Sequence, residues 1–133
     1  MKKSILFVFV FACFWCVSAQ SKGQSPKWLR YCAISPDGKN IAFSYSGDIY
    51  IVPTSGGNAR QITSNTAYEY APIWSPDSKQ IAFASAREGS MDVYLVPIEG
   101  GSPKRITTRS GNEIPVAFLD KETILYSSTG IPT

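Results

Sequence analysis

Two stretches of this chain repeat each other, and the repeat sets what the chain can fold into. Ile34–Phe43 (ISPDGKNIAF) returns forty residues later as Trp74–Phe83 (WSPDSKQIAF). Asp48–Pro53 (DIYIVP) returns as Asp92–Pro97 (DVYLVP), Gly56-Gly57 as Gly100-Gly101, and Ile62-Thr63 as Ile106-Thr107. Short apolar runs separated by turn residues, at a period of roughly 40–45 residues, mark the blades of a β-propeller. Blades are four-stranded antiparallel sheets, and a ring closes with about four or more of them. The 133 residues hold fewer than three such units. The expected fold is therefore all-β, an incomplete propeller that reads as the front of a larger ring.

Each blade can be laid out by its punctuation. Ser35-Pro36-Asp37-Gly38 fits a type I turn position by position, with proline presetting φ and the Asp side chain free to bond nearby backbone. Ser75-Pro76-Asp77-Ser78 repeats that turn with a less permissive last residue. The turns join strands expected at Leu29–Ser35 and Asn40–Tyr45, then at Ala71–Ser75 and Gln80–Ser85. Asp48–Pro53 and Asp92–Ile98 are nearly continuous in apolar residues, as suits third strands covered on both faces. After the Gly-Gly turns, Ala59–Thr63 and Lys104–Thr107 are short, more polar fourth strands, with Pro103 where a missing N–H is tolerated. The blades are thus placed at about 29–63 and 71–107, with a third starting at 114–128. That third unit opens with Val116–Asp120 and Thr123–Ser128, and its turn lacks the proline. A helical alternative fails: the chain beyond residue 20 is dense in Pro, Gly, β-branched and aromatic residues, without a sustained 3.6-residue period.

The first nineteen residues read as a secretory leader outside the fold. Lys2 and Lys3 precede an uncharged apolar run, Ile5–Val17, and Val17-Ser18-Ala19 supplies small residues for cleavage. That run is too short to span a bilayer. A lipid-anchored alternative would use Val10–Cys13, with the lipid on Cys13. Phe11 is bulky for such a site, and cleavage after Ala19 is the reading adopted. Residues 20–28 then form a linker. Loss of Lys2 and Lys3 leaves eleven basic residues against ten acidic ones, so nothing argues for nucleic acid or an anionic surface. The protein is expected to be exported, periplasmic or extracellular, with no membrane span after cleavage. Cys32 would be the lone remaining cysteine, unable to form an internal disulfide, and reads as a small apolar residue buried in a strand.

Catalytic chemistry finds little purchase. Absence of histidine removes Ser-His-Asp and Cys-His arrangements and the commonest zinc sets. There is no Gly-x-Ser-x-Gly elbow. The Gly-Gly pairs lack the strand–helix setting of a phosphate loop, and Asp37, Asp48, Asp77 and Asp92 lack the spacing of a calcium loop. No catalytic residue, metal or cofactor is expected.

One surface is nominated by the up-and-down course of the strands. The connections after second and fourth strands share one face, which gathers Thr63–Tyr70, Ala86–Met91 and Thr108–Glu113. The second blade is four residues longer between Phe83 and Asp92, carrying Arg87 and Glu88, and such insertions tend to mark a binding face. Candidate peptide- or protein-binding residues are Tyr68, Glu69, Tyr70, Arg87, Glu88 and Glu113. Glu69 and Glu113 hold equivalent places. They would form a ring of carboxylates at a channel mouth that meets peptide amines, or would satisfy backbone N–H groups at strand entry. The second reading is preferred, because buried polar groups need partners. Tyr68 and Tyr70 would contact peptide or pack between blades, while Trp74 and Phe118 read as inter-blade core.

The run Trp28–Lys39, followed by Ile41-Ala42-Phe43-Ser44 and Gly47-Asp48-Ile49-Tyr50, resembles the opening blade of tricorn-type proteases, and the repeats resemble the WD40-like units of TolB-type propellers. The second blade, Tyr68–Thr107, carries the same pattern. Cys32 departs from the proline expected there. The resemblance implies a substrate-gating or scaffolding propeller preceding a serine-peptidase domain, with peptides or proteins as partners. It hands no catalytic role to any position here. A TolB-like periplasmic adaptor and the propeller of a prolyl-oligopeptidase-type enzyme are the alternatives.

Overall fold

The computed structural model describes residues 28–130. The expected leader over residues 1–19, including Cys13, and residues 20–27 of the expected linker lie outside the described residues.

Ten strands follow in order: β1 (Arg30–Ile34), β2 (Asn40–Tyr45), β3 (Asp48–Pro53), β4 (Arg60–Gln61), β5 (Glu69–Trp74), β6 (Gln80–Glu88), β7 (Ser90–Pro97), β8 (Lys104–Arg105), β9 (Glu113–Phe118) and β10 (Ile124–Ser128). They form two four-stranded antiparallel sheets, β1-β2-β3-β4 and β5-β6-β7-β8, and a two-stranded sheet of β9 and β10. The repeat in sequence is a repeat in register: Phe43 faces Tyr50 as Phe83 faces Tyr94.

The Ser-Pro-Asp turns close as their residues dictate. Gly38 N donates to Ser35 O at 2.8 Å, and Ser78 N to Ser75 O at 2.9 Å. Ser35 Oγ donates to Asp37 Oδ1 and accepts from Asn40 N, while Lys39 N also donates to Asp37 Oδ1. Ser75, Asp77, Lys79 and Gln80 repeat the network. The last turn residue sits at positive φ, +72° for Gly38 and +60° for Ser78, a conformation strained for serine. Ser78 has a second task there, since its Oγ accepts from Asp37 N of the neighbouring blade. These hydrogen bonds hold the Asp37 and Asp77 carboxyls below their ordinary value of 3.8, the Ser hydroxyl being the largest cause and the lysine backbone N–H the next. A carboxyl lowered by folding stabilises fully above its unfolded value and loses that contribution as pH falls through the folded value. Asp37→Asn and Asp77→Asn should therefore narrow the gap in urea midpoint between neutral pH and pH below about 3.8, leaving the profile above pH 5 unchanged in shape.

Burial separates the middle blade from the first. In β7, Asp92, Val93, Tyr94 and Val96 are all buried, whereas β3 alternates, with Ile49 and Ile51 buried. The second blade is covered on both faces, by the first blade on one side and by β9 on the other; the first has a described neighbour on one side. The core joins Ala42, Ile49, Ile51 and Ile62 of the first blade to Trp74, Ile81, Phe83, Tyr94 and Val96 of the second. Trp74 lies where inter-blade packing was expected, and its Nε1 donates to Ala33 O at 2.9 Å. Arg60 Nη2 adds a bond to Ile98 O.

Each blade is also locked just past the end of its last strand. Thr63 Oγ1 accepts from Ile49 N at 3.0 Å and Thr107 Oγ1 from Val93 N at 2.9 Å, both buried. This accounts for the recurring Ile-Thr pair. Thr107→Val keeps the shape but leaves the Val93 N–H without its acceptor, an expected loss of about 1–3 kcal/mol in chemical denaturation, whereas Thr107→Ser should lose less.

Cys32 corrects an expectation: it is exposed, not buried. It lies at a bulge in β1, between Arg30 and Ala33, where Tyr31 takes φ +54° and the strand rotates its side chains out of simple alternation. Among the described residues no blade covers that side.

Candidate functional site

The connections gather as the strand course requires. The β2–β3 turn, the β4–β5 loop and the β6–β7 hairpin lie on one face with the β8–β9 loop. Glu69 N donates to Gly47 O at 2.8 Å, and Met91 N donates to Asn112 Oδ1 at 3.1 Å, so loops of adjacent blades are tied directly. The first β2–β3 turn is a two-residue hairpin in which Ser46 and Gly47 both have positive φ. The four extra residues of the second blade lengthen the hairpin rather than forming a loose loop. Glu88 pairs with Ser90 across Gly89, beyond a bulge at Ser85–Glu88.

Three tyrosines line the inner edge of this face. Tyr31 of β1 and Tyr70 of β5 lie with ring centroids 5.1 Å apart, and Tyr68 lies 5.4 Å from Tyr70. Tyr70 thus packs between blades, while Tyr68 is exposed. Burial first, then the neighbouring Tyr31 and Tyr68, pushes the Tyr70 hydroxyl above its ordinary value of 10.0, so it remains a donor at any physiological pH. Beside Tyr68 a depression of about 280 Å³ is lined by Trp28, Arg30, Ser44, Tyr45 and Gly47. The Arg30 guanidinium lies 5.6 Å from the centre of the Trp28 ring.

The two glutamates are not an exposed ring. Glu69 and Glu113 are fully buried. Nor does either side chain bond strand-entry backbone, which corrects the preferred sequence reading. Glu69 Oε1 accepts from Arg87 Nε at 2.8 Å, from Arg87 Nη2, and from Ser85 Oγ at 3.2 Å. The Arg87 guanidinium stands 5.8 Å from the Phe83 ring centre and 5.2 Å from that of Tyr94. Arg87 thus serves the interior of its own blade, and of the insertion only Glu88 projects into solvent. Glu113 has no hydrogen-bond partner on either oxygen among the described residues. The structure therefore brings Tyr68, Tyr70, Glu69 and Arg87 together on the second blade and sets Glu113 apart on the third.

Sequence reasoning missed Trp28, Arg30 and Tyr45 as lining of the mouth, and Tyr31 as the ring against Tyr70. Trp28 fell in the expected linker, and none of the four stands in a repeated motif that would single it out. Among the described residues no cluster of His, Cys, Asp or Glu could hold a metal, and no helix is long and apolar enough to cross a membrane.

The tricorn protease N-terminal β-propeller domain matches residues 26–131, a span that contains every described residue. The chain belongs to that family. The match is to a propeller domain of peptidase relatives rather than to a catalytic domain. The chain is 38% identical over 69 residues to dipeptidyl-peptidase 5 of Porphyromonas gingivalis, covering 44% of this chain and 10% of that protein. It is 34% identical over 66 residues to tricorn protease homolog 1 of Streptomyces coelicolor, covering 50% of this chain and 6% of that one. The TolB structure from Agrobacterium tumefaciens superposes with a TM-score of 0.64 at 28% identity, over 69% of this chain and 35% of that one. The propeller expectation holds, and the tricorn-type chain spans a tenth or less of these two peptidase relatives.

Proposed function

We propose that this tricorn-type propeller region gates and binds peptides for an exported serine peptidase, taking no part in bond cleavage itself. The observation that carries the reading is the aromatic mouth. Trp28, Tyr45 and Tyr68 surround a depression that also holds Arg30, on the face where loops of adjacent blades converge. Aromatic side chains and arginine are the residue types that dominate peptide and protein contacts, because they bury large area while keeping a polar tip available. The likeness to peptidases on both curated comparisons supports a peptide as the partner. Export rests on the leader-like first nineteen residues.

The test is a titration of the isotope-labelled protein with a mixture of unstructured peptides, followed by amide chemical shifts. Shifts confined to Trp28, Arg30, Ser44–Gly47 and Tyr68, and weakened about tenfold by Tyr68→Ala, are expected. Shifts that avoid this face would refute the reading. Sequencing the gene beyond the Thr133 codon bears on the parent: further blades followed by a serine-peptidase domain are expected, whereas blades alone would favour an adaptor.

A further inference from the structure

The depression at the mouth takes its lining from the first two blades alone. Trp28 and Arg30 come from the entry to β1, Ser44–Gly47 from the end of β2 and its turn, and Tyr68 from the loop before β5. Those two blades meet in a closed core, with Ala42, Ile49 and Ile51 against Trp74, Ile81 and Phe83. The charge of the depression is one-sided. Arg30 is exposed and makes no ion pair among the described residues, and no lining side chain is acidic. The two carboxylates next to the lining in sequence are engaged elsewhere. Asp48 accepts from Gln61 Nε2 at 3.0 Å and from Asn65 N at 3.1 Å, and Glu69 is closed on Arg87.

Ser44 pairs in register with Arg30, so both side chains leave the same face of the sheet. Ser44 is 3% exposed, and its Oγ has no hydrogen-bond partner among the described residues. A hydroxyl buried in that way is costly until an acceptor arrives. The blade repeat does not call for this pair. The same register position holds Tyr70 and Ala84 in the second blade, and Ile114 and Ser127 in the third. The Arg30 guanidinium lies over the Trp28 ring, 5.6 Å from its centre. A cation–π contact engages the charge and leaves N–H edges for a planar acceptor, which a carboxylate meets with two oxygens.

Resting on the reading of the mouth as a peptide site, we propose that it selects peptides by a carboxylate, which the Arg30 guanidinium binds. Ser44 Oγ gains its missing acceptor from the same group. Trp28, Tyr45 and Tyr68 hold the peptide residues on either side. The carboxylate belongs to an acidic side chain or to the end of the peptide, two sources that present the same planar anion.

The probes are three short acetylated peptides of glycine, serine, glutamine and tyrosine. One ends in an amide and carries no charge, one ends in a free carboxylate, and one ends in an amide with glutamate replacing glutamine. Each is titrated into the isotope-labelled whole chain and followed at the amides of Ser44–Gly47 and at Arg30 Nε. At least one charged peptide should bind about tenfold or more tightly than the neutral one. Whichever does so identifies the source of the carboxylate. Arg30→Gln should bring the charged peptides down to the affinity of the neutral one. Arg30→Lys should restore part of the gap, because an ammonium keeps the charge without the fork. Lys39→Gln removes the same charge from the exposed β1–β2 turn on the opposite face and should leave the gap intact. Equal binding of all three peptides at the mouth would overturn this proposal and leave the peptide reading standing. A gap that survives Arg30→Gln would overturn it as well. Failure of every peptide to shift the mouth would bring down both.

Discussion

Arg87→Ala should destabilise the fold by about 3–5 kcal/mol, the largest single effect outside the apolar core. The loss comes less from the attraction removed than from the Glu69 carboxylate left buried without its cation. Glu69 is wholly inaccessible and the Arg87 side chain is 16% exposed, so water cannot replace the guanidinium. Arg87→Lys should recover part of the loss, because an ammonium lacks the paired N–H groups that Nε and Nη2 present to one oxygen. The double replacement Glu69→Leu with Arg87→Met should return to within about 1–2 kcal/mol of the parent, since apolar isosteres avoid the desolvation cost altogether. Urea unfolding with a shared m-value measures all three. An Arg87→Ala loss below about 1 kcal/mol would show that the pair is solvated and behaves as a surface bridge.

Trp74→Ala should cost a similar amount, about 3–5 kcal/mol, through cavity formation between two blades. The indole is 7% exposed and packs in the cluster shared by both sheets, and its N–H holds the Ala33 carbonyl of the first blade. Trp74→Phe keeps most of the volume but loses that bond, an expected cost of roughly 1–2 kcal/mol. Phe118 holds the same place on the third blade but is only half-buried, beside an open groove. Phe118→Ala should therefore cost distinctly less than Trp74→Ala. Equal losses at the two positions would mean that the second inter-blade gap is closed in solution.

The contrast between these positions shows what the amino-acid sequence discloses. Asn40–Tyr45 and Asp48–Pro53 were legible to the residue, because apolar runs bounded by Ser-Pro-Asp-Gly and Ser-Gly leave little choice of boundary. The β6–β7 hairpin was not: four additional residues read as a loop, whereas a bulge at Ser85–Glu88 lets both strands grow to Glu88 and from Ser90. The Glu69–Arg87 pair was equally hidden. The two residues are 18 apart, and the antiparallel register together with that bulge brings them together. Their separate appearance in an insertion and at a strand entry suggested a solvent-facing site, while burial assigns them to the interior. Cys32 failed for the converse reason, since strand membership predicts burial only where a neighbouring sheet covers the face. The mouth aromatics Trp28 and Tyr45 lie outside the turn motifs that recur between the two blades, so spacing gave no handle on them.

A common physical account links these results. The middle blade, covered on both faces, holds the interior on which the mouth loops and the third half-blade both rest. Native-state hydrogen exchange tests that account most directly, because local opening energies scale with packing and hydrogen bonding. The account predicts the slowest exchange for Ile81–Ser85 and Val93–Val96, slower than any amide of β2 or β3, with β10 the fastest of the longer strands. Protection in β10 equal to that of β6 and β7, or a first blade more protected than the second, would contradict it.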